Sequence, residues 1–292
     1  MTVVSAKMRW GVERRLEFIE FRVFWEGGVN RSDLTDQFGI SVPQASADLS
    51  AYQKIAPGNL TYNASEKRYV RATEFEPRII VPNADRYLSQ LRFIADGIMG
   101  VDDSWIHKPP SIDAMPILNR SVKPLILQRI LEAIQAQGSL EIRYQSMNPK
   151  NPDLMWRWIT PHAFGSDGTR WHVRAFCHTD RRFKDFLLSR CQDTRGDGPA
   201  GADAYSDIDW VEKFEVILEP NPALSRSQQD AVETDYSMAD GKLRLSIRRA
   251  LLFYLNKHLR LDFIKYDPRP ALNPIVVANR NEFDEAVQFA SF

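Results

Sequence analysis

The chain has 292 residues, 43% of them hydrophobic and 26% charged, and its 38 basic and 38 acidic side chains cancel. That length predicts two or three domains, each able to bury a core of its own, and the ordinary composition excludes a disordered or fibrous protein. No run approaches the roughly 20 apolar residues of a membrane span, residues 1–10 hold no apolar leader core, and Cys177 and Cys191 are too few for a disulfide framework, so a reducing cytoplasm is expected. The charge is unevenly spread. Residues 1–78 hold 11 Lys/Arg against 10 Asp/Glu, residues 120–195 hold 13 against 7, and residues 203–292 hold 11 against 15. The basic middle segment therefore expects an anionic partner, or else presents a solvated basic face.

In chain order, residues 8–26 read as a helix, with Leu16, Ile19 and Val23 at helical spacing and Gly27-Gly28 closing it. A short helix from Arg31 to Phe38 follows, with Gly39 as its turn. Ser41 is placed to cap a third helix that has Pro43 in its first turn and runs to about Ile55. Leu60–Asn63 and Arg68–Val70 flank a polar turn and read as a hairpin. Helix, helix, glycine turn, helix and hairpin is the order of a winged helix-turn-helix. In that reading Val42, Ala45, Leu49 and Tyr52 form the core face of the third helix. Ser41, Gln44, Ser46, Ala47 and Ser50 form a small polar face fit for a DNA major groove. Lys54, Lys67, Arg68 and Arg71 are placed to reach phosphates. The other reading of residues 1–78 is a three-helix packing module with no role on DNA.

Residues 79–119 read as a connector, marked by Pro82, Pro109-Pro110 and Pro116 and holding a helix from Asp85 to Ala95. Residues 120–195 begin with a helix, 120–137, in which Val122, Ile126, Ile130 and Ile134 recur every fourth position. Strand-like segments follow at Leu140–Ser146, Trp156–Pro161, Thr169–Cys177 and Phe183–Cys191, predicting a small, strongly bent β-sheet or partial barrel. Residues 193–204 read as a Gly/Asp/Ala-rich linker. Residues 203–292 alternate strand and helix, as a small α+β domain of ferredoxin-like type would. The fold class is thus α+β with several domains.

The middle segment resembles a WYL domain. The resemblance lies in Ile159-Thr160-Pro161, in the run from Gly168 through Trp171-His172-Val173-Arg174 to Cys177, and in Phe183-Lys184-Asp185-Phe186-Leu187-Leu188-Ser189-Arg190. His172 and Val173 stand where the family usually has Tyr and Leu, a departure similar to the WYL regulators found beside BREX and CBASS phage-defence operons. Ile40 to Leu49 and Ala56-Pro57-Gly58-Asn59-Leu60 resemble that subgroup too, and the last segment is similar to the extension that accompanies WYL domains. The resemblance implies an Sm-like sensor domain and a homodimeric repressor that binds a palindromic double-stranded DNA operator. It also implies a pocket for a nucleotide or nucleic-acid effector.

The residues support an anion pocket on their own terms. Arg174 and Arg190 lie in strand-like segments, and guanidinium groups take phosphate bidentately. Trp171 and Phe183 can stack on a base, and Tyr144, Ser146, His162 and His178 can supply polar contacts. Trp171 reads equally as core, and His162 slightly better as core. No zinc spacing, phosphate loop or nucleophile elbow is present, so neither a metal, a cofactor nor a catalytic residue is expected. A nuclease without a recognisable acidic cluster, and a non-catalytic scaffold for nucleic acid or protein, are the rival functions.

Overall fold

The computed structural model describes residues 10–116, 120–149, 152–263 and 269–289, and the chain divides into two compact units, Met1–Ile117 and Leu118–Phe292. The expected start of the first helix, at residues 8 and 9, lies outside the described residues.

The first unit holds α1 (Trp10–Glu26), β1 (Gly28–Val29), α2 (Arg31–Phe38), α3 (Val42–Ile55), β2 (Leu60–Asn63), β3 (Arg68–Arg71) and α4 (Ala84–Ala95). Helix α2 starts with a capping box between Asn30 and Asp33 and ends on Gly39 at φ 60°, a left-handed turn that glycine adopts without strain. Ser41 Oγ then caps α3 by accepting the Gln44 N–H at 3.3 Å. Leu16, Ile19 and Val23 from α1, Leu34 from α2, and Ala45, Leu49 and Tyr52 from α3 form one buried core. Val42 corrects the expected core face: it is 57% exposed. The first turn of α3 projects beyond the core, whose members on this helix begin at Ala45. The hairpin forms as expected, and the short β1 adds a third strand in the order β1-β3-β2.

A buried carboxylate fixes α1 against α3. Glu20 is fully buried and accepts the Tyr52 hydroxyl at 2.8 Å and the backbone N–H groups of Arg78, Ile79 and Ile80 at 2.9, 2.7 and 2.7 Å. Asn59 donates to the Tyr52 oxygen and to the Glu76 carbonyl. Burial holds the Tyr52 hydroxyl well above its ordinary range, so it remains a donor. The connector therefore packs back on the first unit, and Leu91 and Ile106 bury against Phe21.

The second unit opens with α5 (Pro124–Gln135), then β4 (Ser139–Gln145), β5 (Leu154–Ser166), β6 (Trp171–Cys177), β7 (Arg182–Leu187) and β8 (Cys191–Gly198). The sheet order is β7-β6-β5-β4-β8, antiparallel throughout, so a meander is closed by its last strand returning to its first. Register shifts in β5 after Pro161, and twice between β4 and β8, bend the sheet. Two expectations change here. The segment Phe183–Cys191 is not one strand, because a 3-10 turn at Leu188–Arg190 redirects it. Residues 193–198 are not linker, because their backbone completes the ladder with β4. Ile126, Ile130, Leu140, Ile142, Ile159, Val173, Ala175 and Cys177 form the core under α5.

The chain continues through α6 (Ile208–Val211), β9 (Lys213–Pro220), α7 (Arg226–Asp235), β10 (Leu243–Arg248), α8 (Leu252–His258), β11 (Ile275–Val277) and α9 (Arg280–Phe289). The domain is α+β, and its described strands do not confirm the ferredoxin-like expectation. Its described sheet has three strands in the order β10-β9-β11, all antiparallel, with no parallel crossover. Asp240 and Gly241 at positive φ turn the chain through a bridge at Ala239 and Lys242, so β10 returns antiparallel to β9. Among the described residues no helix is long and apolar enough to cross a membrane.

Candidate nucleic-acid interface and anion site

One face of α3 is open. Ser41, Gln44, Ala47, Ser50 and Lys54 are exposed, while Ala45, Asp48, Leu49 and Tyr52 on the other side are buried. Asp48 is held by Arg15 at 2.6 and 3.2 Å and accepts the Gln44 side-chain amide at 3.0 Å. Gln44 is thus pre-oriented from below rather than loose. Ser46 is half-buried and accepts Arg31 Nε at 2.8 Å, and Ser50 bonds back to the Ser46 carbonyl. Arg31, exposed at the start of α2, adds a cation beside this face that sequence reasoning passed over.

The wing cations divide. Lys67 is exposed at the tip with φ 53°. Arg68 instead lies over Gly28, where a Cβ would come within 2.5 Å of its guanidinium, and reaches the Glu26 carbonyl at 3.4 Å. Arg71 donates to the Phe24 carbonyl at 3.1 Å. Both tie the wing to the last carbonyls of α1, a favourable place for a cation. Lys54 and Lys67, the two lysines of the expected set, are both exposed.

In the second unit the outer face of the sheet carries a buried polar cluster. Arg174 on β6 is 5% exposed, and its Nε and Nη2 grip both carboxylate oxygens of Asp207 at 2.7 and 2.9 Å. His162 meets the same carboxylate at 2.9 Å. Asp185, opposite Arg174 in the β6–β7 register, stands 3.5 Å from it and accepts the Tyr254 hydroxyl at 3.1 Å. Asp209 is 3.8 Å away. Three carboxylates share one guanidinium, and their acidities separate. Burial pushes Asp207 up, but Arg174 and His162 outweigh it and hold the carboxyl below its ordinary value. Burial raises Asp185 and Asp209, with Arg174 offsetting it incompletely. Burial also lowers His172 and His178, favouring their neutral forms.

Family models match three consecutive parts of the chain: the BrxR transcriptional regulator winged helix-turn-helix domain over residues 11–93, the WYL domain over 125–195, and the BrxR C-terminal dimerization domain over 213–283. Two curated relatives, the DNA-binding transcriptional repressors CapW of Stenotrophomonas maltophilia and Pseudomonas aeruginosa, are each 39% identical, over 95% and 96% of this chain and 93% of their own lengths. A third, CapW of Escherichia coli strain KTE188, is 39% identical over 94% of this chain and 91% of its own. The chain belongs to this CapW and BrxR family of WYL-domain regulators.

Within the WYL domain the expected ligand residues do not form one open pocket. Arg174, His162 and Phe183 come together, the His162 and Phe183 rings 5.5 Å apart. His178 sits lower on the same face, 2.8 Å from Thr160 Oγ1 and under Gly201. Tyr144 belongs to the core instead: it is 8% exposed, packs edge-on against Phe186 and accepts the Leu187 N–H. Arg190 lies beside its hydroxyl, on the 3-10 turn rather than in a strand. Ser146 accepts the Asn148 N–H. Trp171, open between core and surface in the sequence, is 59% exposed at the start of β6. Arg174 is buried, and Asp207 already occupies its guanidinium. Asp207 and Tyr254 were missed, and only Asp185 left a signal: a hairpin tip at residues 179–182 sets it across from Arg174.

These acidities carry a pH prediction. A carboxyl raised in the fold binds its proton more readily there than in the unfolded chain. Its charge therefore costs stability as pH rises above the ordinary value of 3.8, and the loss is complete above the raised value. Asp185→Asn removes that cost while leaving an acceptor for Tyr254. The variant is expected to be neutral or up to about 1 kcal/mol more stable at pH 7, with a flatter stability profile between pH 4 and 7. Urea denaturation across that range checks it, and a large loss of stability at pH 7 would refute it.

Proposed function

We propose that this chain is a homodimeric, sequence-specific DNA-binding repressor of a phage-defence operon, whose WYL domain receives a nucleotide or nucleic-acid effector. The observation that carries the DNA reading is the two-sided α3: a sealed core side, and an exposed side of Ser41, Gln44, Ala47 and Ser50 that is small enough to enter a major groove. The winged-helix match and the CapW relatives, named as DNA-binding transcriptional repressors, point the same way. The match to a dimerization domain supports a two-fold assembly and hence a palindromic operator. A cytoplasmic location goes with such a target. The effector reading rests on the basic WYL segment and on the Arg174 and His162 pair within it.

The test is binding of the purified chain to the DNA upstream of its own gene, over a salt series, against a scrambled duplex. Tight, salt-weakened binding of a dimer to the natural duplex alone is the expected result. Equal, weak binding to both duplexes would favour a scaffold. Lys54→Ala and Lys67→Ala should each weaken binding to any sequence and reduce the salt slope by about 1. An unchanged slope in both variants would remove these lysines from the phosphate contacts.

A further inference from the structure

We infer that Arg174 and His162 form a phosphate-binding site which the chain's own Asp207 occupies, and that a nucleotide effector acts by displacing that carboxylate. The inference rests on the effector reading above and adds to it what fills the site beforehand. Asp207 presents its two oxygens to Nε and Nη2 in the paired geometry with which a guanidinium takes a phosphate, and His162 supplies the next contact. The carboxylate is 1% exposed, so no external anion reaches Arg174 while it stays. Displacement does not strand the cation, because Asp185, on β7 rather than on the released segment, remains 3.5 Å away.

The segment carrying Asp207 is short and largely exposed. Helix α6 has four residues, and Tyr205, Ile208 and Val211 are 83%, 55% and 46% exposed. Besides Asp207 it is anchored by Trp210, which packs near His162 and Gly165 and under Arg248, by the Arg248 guanidinium on the Trp210 carbonyl, and by the Arg249 N–H on the Glu212 carbonyl. Release would uncover His162 and Phe183, aromatic rings suited to a nucleobase. It would also free the root of β9, which begins at Lys213, where the match to the dimerization domain begins. An anion bound only when Asp207 is out shifts the population toward the released state.

The test uses the full-length chain and two probes, a 5′-phosphorylated pentadeoxynucleotide of mixed sequence and inorganic phosphate. Asp207→Asn keeps the cap and the shape of the side chain but removes its charge. It is expected to bind the pentanucleotide at least tenfold more tightly than the unaltered chain, and adding Arg174→Gln should abolish the gain. A gain with inorganic phosphate alone assigns the site to the phosphate group, and a gain confined to the oligonucleotide adds the aromatic contacts. In the unaltered chain, saturating oligonucleotide should speed hydrogen exchange at the amides of residues 206–211, a readout that needs no variant to fold. Equal affinity of the Asp207→Asn and unaltered chains, with binding still lost in Arg174→Gln, overturns the displacement and leaves the effector reading standing. No binding of either probe to any folded form, with no change in exchange, overturns both.

Discussion

Glu20→Ala is expected to destabilise the first unit by about 3–5 kcal/mol, a large part of what a domain of this size possesses. The cost comes from what the carboxylate serves. It is fully buried and satisfies one hydroxyl and three backbone N–H groups, drawn from α3 and from the chain after the wing. Alanine leaves those donors without acceptors in a place water does not reach, and each orphaned buried group costs about 1–3 kcal/mol. It also opens a cavity between α1 and α3. Urea denaturation of the full chain, followed by hydrogen exchange of the α1 and α3 amides, should show the first unit opening at much lower denaturant. The core amides of β4 to β6 should be unmoved. Glu20→Gln should fall between, since its amide oxygen still accepts but its NH2 faces other donors. A loss below about 0.5 kcal/mol for Glu20→Ala would mean that the network is incidental to the fold.

Ala47→Glu is expected to lower operator affinity at least about 100-fold, close to 3 kcal/mol, with almost no change in stability. Ala47 is exposed in the middle of α3, on the face proposed for the major groove. Glutamate is nearly as good a helix former as alanine, so the helix should tolerate the change. A longer, negatively charged side chain there both blocks close approach and repels phosphate. Glu20→Ala loses DNA binding through unfolding, whereas Ala47→Glu should lose it while denaturing as the unaltered chain does. Operator affinity within threefold of the unaltered chain would place the DNA contact elsewhere.

Local chemistry was legible in the chain itself. Gly39, Ser41 and Pro43 act on their nearest neighbours, so the helix boundaries around the turn of the winged helix followed from spacing and capping. Strands β4 to β7 of the WYL segment were legible as strand-like runs, and the Arg174–Asp185 pairing was implicit in one hairpin tip. The features that decide the site arise between distant residues. Asp207 lies 33 residues from Arg174, Tyr254 lies 69 from Asp185, and the Arg78 and Ile80 amides lie 58 and 60 from Glu20. Strand β8 was hidden because its Gly- and Asp-rich sequence has no apolar period. Only the open edge of β4, and Trp158 packing on Gly196 and Gly198, make it a strand. Sequence by itself determined which side chains could cap helices, alternate on strands or carry charge, since those properties act over a few residues. The tertiary structure decided which charges meet, because a buried arginine takes whatever carboxylate the fold brings within 3 Å, however far away it stands in the chain.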